Sequence, residues 1–449
     1  MVPSQRYGRR LLVLGLLLWL FFWAAYNAHV QSPTMDEQNH IARGYALLRT
    51  GDPRLSIEHP PLVNALEALP LFLLGPLRMP TDDWSWEVSE WYRFADLFLW
   101  HLANPVEPMI FLARLPIMAG AVLLAALAYR WAGELGGRGA GVFALALVAL
   151  DPNIIAHSSL ATTDLGQTLA VFLTGYMIWR TIQLPSWERY ALTGITMGAM
   201  LATKLSALAF AGVWGVVLVW YLARRPGLAC WKSLFSRLGK LALLGSLALV
   251  VLWGTYAFQS APLHENGQPV PMSLYWRGLS AILQQTQGGR PSYLLGRTTV
   301  HGFWTYFPIT FVVKTPIATL LTLVLAFFIF LYVVSHKAGR IFRDARASIF
   351  LLTPVLVYGG LVMQSALNLG YRHLLPILPL MYVWAAQLVG RGRFSPRRRA
   401  LEGEDQVTGA WLRERWGLFR HGELFRRSEL FRRSVPWALA LMLVLESLW

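Results

Sequence analysis

Apolar runs long enough to cross a bilayer recur along this chain, and nothing constrains its fold more. A spanning helix needs about 20 such residues. Segments near 11–30, 109–129, 139–157, 162–180, 190–203, 205–223, 241–258, 311–335, 348–367 and 374–390 meet or approach that length, and a further one begins at 435. The expected fold class is all-α, a polytopic transmembrane helical protein of about 11 spans. Composition points the same way, since the chain is 55% hydrophobic and only 14% charged, with 20 Trp. A net charge of +16 would suggest nucleic acid in a soluble protein, but here it collects in particular loops, so no nucleic-acid partner is expected. The single cysteine, Cys230, excludes an intramolecular disulfide framework and a cysteine-based zinc site.

Charge fixes the expected threading. Arg6, Arg9 and Arg10 precede the first span and hold that end in the cytoplasm. No small-residue cleavage site stands out after it, so the first span reads as a retained helix. Alternation then puts 224–240 and 336–347 in the cytoplasm, and both are rich in Lys and Arg. It puts residues 31–108, which are acid-rich, and 259–310 outside. The first outer loop holds a helical stretch from Asp36 to Thr50 and an apolar piece, residues 62–74, expected to lie along the interface. The second, rich in Gly, Pro, Gln and aromatics, reads as an irregular lid. Residues 1–390 form the expected core, and 391–434 a basic cytoplasmic linker with an imperfect repeat, Glu423 to Ser428 and Glu429 to Ser434. The segment 435–449 reads as the start of a further, truncated span.

The acidic pair Asp36-Glu37 emerges just beyond the first span. Thr34-Met-Asp-Glu37 fits a capping box, in which Glu37 returns to the backbone amide of Thr34. Asp36 can equally compensate the helix dipole. Carboxylates at a bilayer surface also suit chemistry on a lipid-borne substrate. Arg114, Lys204, Lys314 and Arg372 all fall at outer span ends, the level of a lipid phosphate, although such cations also snorkel to the interface with only water and headgroups as partners. His301 near His264 matches no metal-ligand spacing. No cofactor is expected, and a divalent-metal requirement is left open.

Several segments together resemble the GT-C superfamily of polyprenyl-phosphate-dependent glycosyltransferases, in the branch of protein O-mannosyltransferases and lipid A aminoarabinose transferases. They are Asp36-Glu37, Glu58-His59-Pro60-Pro61-Leu62, Leu112-Ala-Arg114-Leu-Pro116, Leu160-Ala-Thr-Thr-Asp164, Met200-Leu-Ala-Thr-Lys204, Tyr306 through Pro316 and Asn368-Leu-Gly-Tyr-Arg372-His373-Leu-Leu-Pro376. The resemblance implies an inverting transferase with its site facing away from the cytoplasm of a bacterial or archaeal plasma membrane. The donor would be a polyprenyl-phosphate-linked monosaccharide and the acceptor a hydroxyl of a protein, lipid or glycan. Asp36 is then the candidate base, Glu37 its catalytic neighbour toward sugar hydroxyls, and His59, Arg114, Asp164, Lys204, Lys314, Arg372 and His373 the candidate substrate contacts. A phosphate already activates the sugar, so what remains is to deprotonate the acceptor and stabilise charge on the leaving group. A polyprenyl-linked glycan transporter or lipid-binding scaffold would use the same cations without needing Asp36.

Overall fold

A computed structural model describes residues 3–224, 231–263, 267–336 and 341–389, with positions 438, 439, 442, 443 and 446. The basic linker 391–434, most of the segment from 435 and His264 lie outside the described residues. The architecture is almost wholly helical, as expected. Helix α1 (Pro3–Val30) is followed by the first long loop, which folds into α2 (Met35–Thr50), α3 (Leu62–Ala68) with a 3-10 continuation (Leu69–Leu74), and two short helices, α4 (Trp84–Glu87) and α5 (Trp91–Asp96). Then come α6 (Val106–Gly136), α7 (Arg138–Ala149), α8 (Pro152–Ser158), α9 (Thr163–Gln183), α10 (Trp187–Leu201), α11 (Ala207–Ala223) and α12 (Trp231–Thr255). The second long loop is more regular than its composition suggests. Two antiparallel hairpins, β1 (Ser260–Pro262) with β2 (Pro269–Pro271) and β3 (Ser292–Leu294) with β4 (Arg297–Thr299), flank α13 (Ser273–Gly288). The chain continues through α14 (Tyr306–Lys314), α15 (Ile317–His336), α16 (Ile341–Met363), a 3-10 turn (Tyr371–Ile377) and α17 (Leu378–Ala385).

By length and apolarity, 4 helices among the described residues can cross a membrane, or up to 6 if each sharply bent pair counts as one span. The difference from about 11 has identifiable causes. The run 139–157 is broken by 62° between α7 and α8, where Asp151 caps α8 and Pro152 opens it. The expected straight span 311–335 turns by 114° between α14 and α15, at Thr315-Pro316. Expected span 374–390 is a composite of 3-10 turns around the short α17. Helix α9 is long enough but buries Asp164, Gln167, Thr168, Thr174 and Thr181. Its threonines join it to α10, with Thr174 donating to the Thr196 carbonyl at 2.9 Å and the Thr181 and Thr193 hydroxyls 2.9 Å apart. Polar residues between apolar helices hold them together without a hydrophobic driving force.

Around these helices the core is aromatic. Trp131 is fully buried against Phe172, Tyr176 and Phe350. Beside it Glu134 accepts from Arg180 Nη1 at 2.8 Å and from the Tyr176 hydroxyl at 2.9 Å, tying the far ends of α6 and α9 together. Arg114 lies twenty residues back along α6, roughly 30 Å at 1.5 Å per residue. The site below gathers at the Arg114 end.

Candidate functional site

Helix α2 organises the site, and its N-terminus is the pivot. Glu37 is fully buried. Its carboxylate receives the Thr34 amide at 2.7 Å, the Ala161 amide at 2.8 Å, and a two-point contact from Arg114, Nε at 2.7 Å and Nη2 at 2.8 Å. Arg114 is itself buried and donates further to the carbonyls of Ala28 at 2.7 Å and Gln31 at 3.0 Å. Burial pushes the Glu37 carboxyl up, but the guanidinium and the two amides outweigh it and hold the carboxyl below its usual range. This pair locks the end of α1, the start of α2, α6 and the α8–α9 connection to one another. The expectation that Glu37 meets sugar hydroxyls and Arg114 a phosphate is thus corrected: their polar atoms are engaged by one another and by backbone, out of reach of solvent.

Asp36, one residue earlier, is placed differently. Its side chain is 49% exposed, and Oδ2 takes Arg372 Nη1 at 2.6 Å. Arg372 sits on the 3-10 turn before α17, and its Nε is buried with no partner among the described residues. Lys204, after α10, donates to Asp164 at the start of α9 at 2.7 Å. Asp164 also lies within electrostatic range of Arg372. Arg372, Lys204 and Asp164 therefore gather beside Asp36. Lys314 stands exposed at the corner between α14 and α15, its backbone carbonyl held by Asn153 Nδ2 at 2.9 Å.

A fourth ion pair lies on helix α2. Arg43, one face along α2, donates to Glu58 at 3.0 Å and lies over the Trp91 ring at 5.1 Å. Between the pairs sit neutral imidazoles. His59 is packed edge-on to His40, ring centroids 5.0 Å apart, and its Nδ1 is buried without a partner among the described residues. Burial, then the charges of Arg43, Lys204 and Arg372 with His40, keep His59 far below its usual pKa. His40 pairs with Asn64 at 2.9 Å and is lowered to about 4 by burial and by Arg43. His373 is lowered to about 3 by burial and Lys204, and its Nε2 is also buried and without a partner among the described residues. All three are thus uncharged at neutral pH. Among the described residues no three His, Cys, Asp or Glu side chains converge as metal ligands.

His40, Arg43, Asn64 and His157 were not singled out from the sequence. His40 and Arg43 carry a signal in hindsight, because they follow Asp36 by four and seven residues and so share its helical face. Asn64 reaches His40 through close packing. Gly44 makes that packing feasible, since a Cβ there would stand 1.8 Å from the Asn64 carbonyl oxygen.

Residues 98–256 match the family described as dolichyl-phosphate-mannose-protein mannosyltransferase. No curated protein sequence matches the chain. Among solved structures, ArnT from Cupriavidus metallidurans bound to undecaprenyl phosphate aligns at TM-score 0.56 and 15% identity, over 98% of this chain and 76% of that one. Apo ArnT from the same organism aligns at 0.49 and 15%, over 89% of this chain and 62% of that one. The S. cerevisiae protein O-mannosyltransferase Pmt1-Pmt2 complex bound to the sugar donor aligns at 0.42 and 18%, over 56% of this chain and 33% of that one. The chain thus spans less than two thirds of the length of apo ArnT. Its fold is the GT-C fold that the sequence motifs led one to expect.

Proposed function

We propose that the chain is a membrane glycosyltransferase that moves a monosaccharide from a polyprenyl-phosphate donor to an acceptor hydroxyl on the extracytoplasmic side, with inversion. The observation that carries this reading is the half-exposed Asp36–Arg372 pair beside Lys204 and Asp164, at the surface end of the helices. The matched mannosyltransferase family and the undecaprenyl phosphate held by ArnT support the same donor chemistry.

Among the described residues each site cation except Lys314 is paired with a carboxylate in the resting arrangement. A donor phosphate brings its own negative charge and competes with Asp36 for Arg372. Once Arg372 turns to the phosphate, Asp36 is released as an acceptor of protons. The acceptor hydroxyl gives its proton to Asp36, and its oxygen forms a bond to the anomeric carbon. The bond from that carbon to the phosphate oxygen breaks, and its electron pair stays on the phosphate, which gains a second negative charge. Arg372 and Lys204 stabilise that charge, the largest single contribution in reactions of this type. A single displacement by one base inverts the anomeric centre. Neutral imidazoles at His59 and His373 add no further cation to the site.

The test is incubation of the purified protein in lipid with a panel of polyprenyl-phosphate sugars, scoring free polyprenyl phosphate. Release with one donor, dependent on an acceptor, is the expected result. Lipid binding without release from any donor sinks the enzymatic reading and leaves a transporter or scaffold.

A further inference from the structure

His157 belongs to none of the pairs above, yet it is built into the same place. Helix α8 carries it and is held at both ends. At its start, Asp151 accepts from the Asn153 amide at 2.7 Å and the Ile154 amide at 3.1 Å, and from the Tyr382 hydroxyl on α17. Asn153 ties the same turn to the Lys314 carbonyl. At its end, the Ser158 and Ser159 hydroxyls return to the carbonyls of Ile155 at 2.6 Å and Ala156 at 2.7 Å, and the chain runs on to Ala161, whose amide meets Glu37. These contacts fix α8 between the Lys314 corner and the Glu37–Arg114 pair next to Asp36.

The charges that act on the His157 ring come from four different elements: Asp164 on α9, Arg372 on the 3-10 turn, Lys204 after α10 and Lys314 at the end of α14. Arg372 and Lys204 each hold a carboxylate, Asp36 and Asp164, so among the described residues Lys314 brings the one unpaired positive charge, which an anion would balance. The ring itself is only partly covered, and its Nδ1 is buried with no hydrogen-bond partner among the described residues. A buried ring nitrogen left unpaired among cations is a group waiting for a ligand.

We propose that His157 is a further phosphate-contacting residue: a neutral imidazole N–H that donates to an oxygen of a phosphate monoester headgroup. This rests on the donor chemistry proposed above. As a neutral donor it adds a directed hydrogen bond where Lys204, Lys314 and Arg372 supply charge. Its contribution grows as the leaving phosphate gains its second charge, because hydrogen bonds to ionised acceptors are the stronger ones.

The full chain in nanodiscs is titrated with radiolabelled undecaprenyl phosphate, and in parallel with undecaprenol, which has the tail without the phosphate. Compared with the unaltered protein, His157→Ala is expected to weaken undecaprenyl phosphate by about 10-fold or more, the scale of one hydrogen bond to a charged acceptor. His157→Gln, which keeps an N–H, is expected to restore most of that loss, and undecaprenol binding is expected to stay the same in all three. Inorganic phosphate serves as competitor, and weak competition marks a lipid headgroup as the occupant. Competition as strong as by the lipid would make the site one for free phosphate and overturn the assignment. If the alanine variant fails to fold, His157→Phe and His157→Gln decide, with loss expected only for Phe. Equal affinity in the variants and the unaltered protein removes His157 alone. No binding of undecaprenyl phosphate by the unaltered protein removes the proposed donor and this inference with it.

Discussion

Adjacent carboxylates on α2 have opposite fates, and the difference is accessibility. Asp36 is half-exposed with one oxygen on Arg372, whereas Glu37 is sealed with Arg114. Asp36→Asn keeps the shape but cannot take a proton, so turnover is expected to fall by roughly 10²–10⁴-fold with donor binding retained. Near-normal transfer by folded Asp36→Asn protein would remove the base assignment. Glu37→Gln leaves the Arg114 charge uncompensated and buried, which is expected to cost about 3–5 kcal/mol of stability, read as a lowered unfolding temperature. An unfolding temperature unchanged by Glu37→Gln would mean the pair is not a lock.

Glu67, on α3, is a third case: buried, both oxygens without a partner among the described residues, and its carboxyl pushed well above the usual range mainly by burial, with the Glu37 and Asp164 charges adding. A folded-state pKa raised above the ordinary 4.5 gives stability that is full below that value and lost as pH rises toward the folded one. Glu37 works the other way, losing stability as pH falls below the ordinary carboxylate range. Glu67→Met is therefore expected to stabilise the protein at pH 7–8 and to flatten the alkaline side of the profile alone. A variant whose melting falls equally at every pH contradicts this account.

At the scale of elements, the site depends on close crossings rather than on long helices. Helix α3 lies against α2 with Gly44 at the contact, and α13 approaches the His59 turn so closely that a Cβ on Gly278 would stand 2.1 Å from the Ile57 carbonyl oxygen. Both contacts are to backbone, which cannot move aside as a flexible side chain can. Gly44→Ala is expected to overpack the crossing, costing about 1–3 kcal/mol, and to part Asn64 from His40. Its signature is a lower unfolding temperature together with weaker donor binding. A melting curve that overlays the unaltered one would show that the crossing yields freely.

For the molecule as a whole, the proposal requires one sidedness. Asp36, the His59 turn and Arg372 belong at one end of the helices, and the proposal puts residue 232 at the other. Single-cysteine variants at 36 and 232, in a background lacking Cys230, are expected to label from opposite faces of sealed vesicles. Labelling of both from the same face ends this topology and the extracytoplasmic reading with it.

The sequence alone determined the class of fold, because runs of about 20 apolar residues leave helices as the main way to satisfy backbone polar groups in lipid. It also determined the start of α2, through the Thr34–Glu37 capping signal, and the set of polar residues at the ends of helices. It could not tell which of those polar residues face a substrate. Glu37 and Arg114 carry the same motif weight as Asp36 and Arg372, and 77 residues separate the first two in the chain. Only the packing of α1, α2, α6 and the α8–α9 connection decides that one pair is sealed and the other open. The breaks at Asp151-Pro152 and Thr315-Pro316 are likewise tertiary outcomes. Proline permits a bend at those points, but Tyr382 on Asp151 and Tyr371 on Thr315 are what hold the bent helices in place.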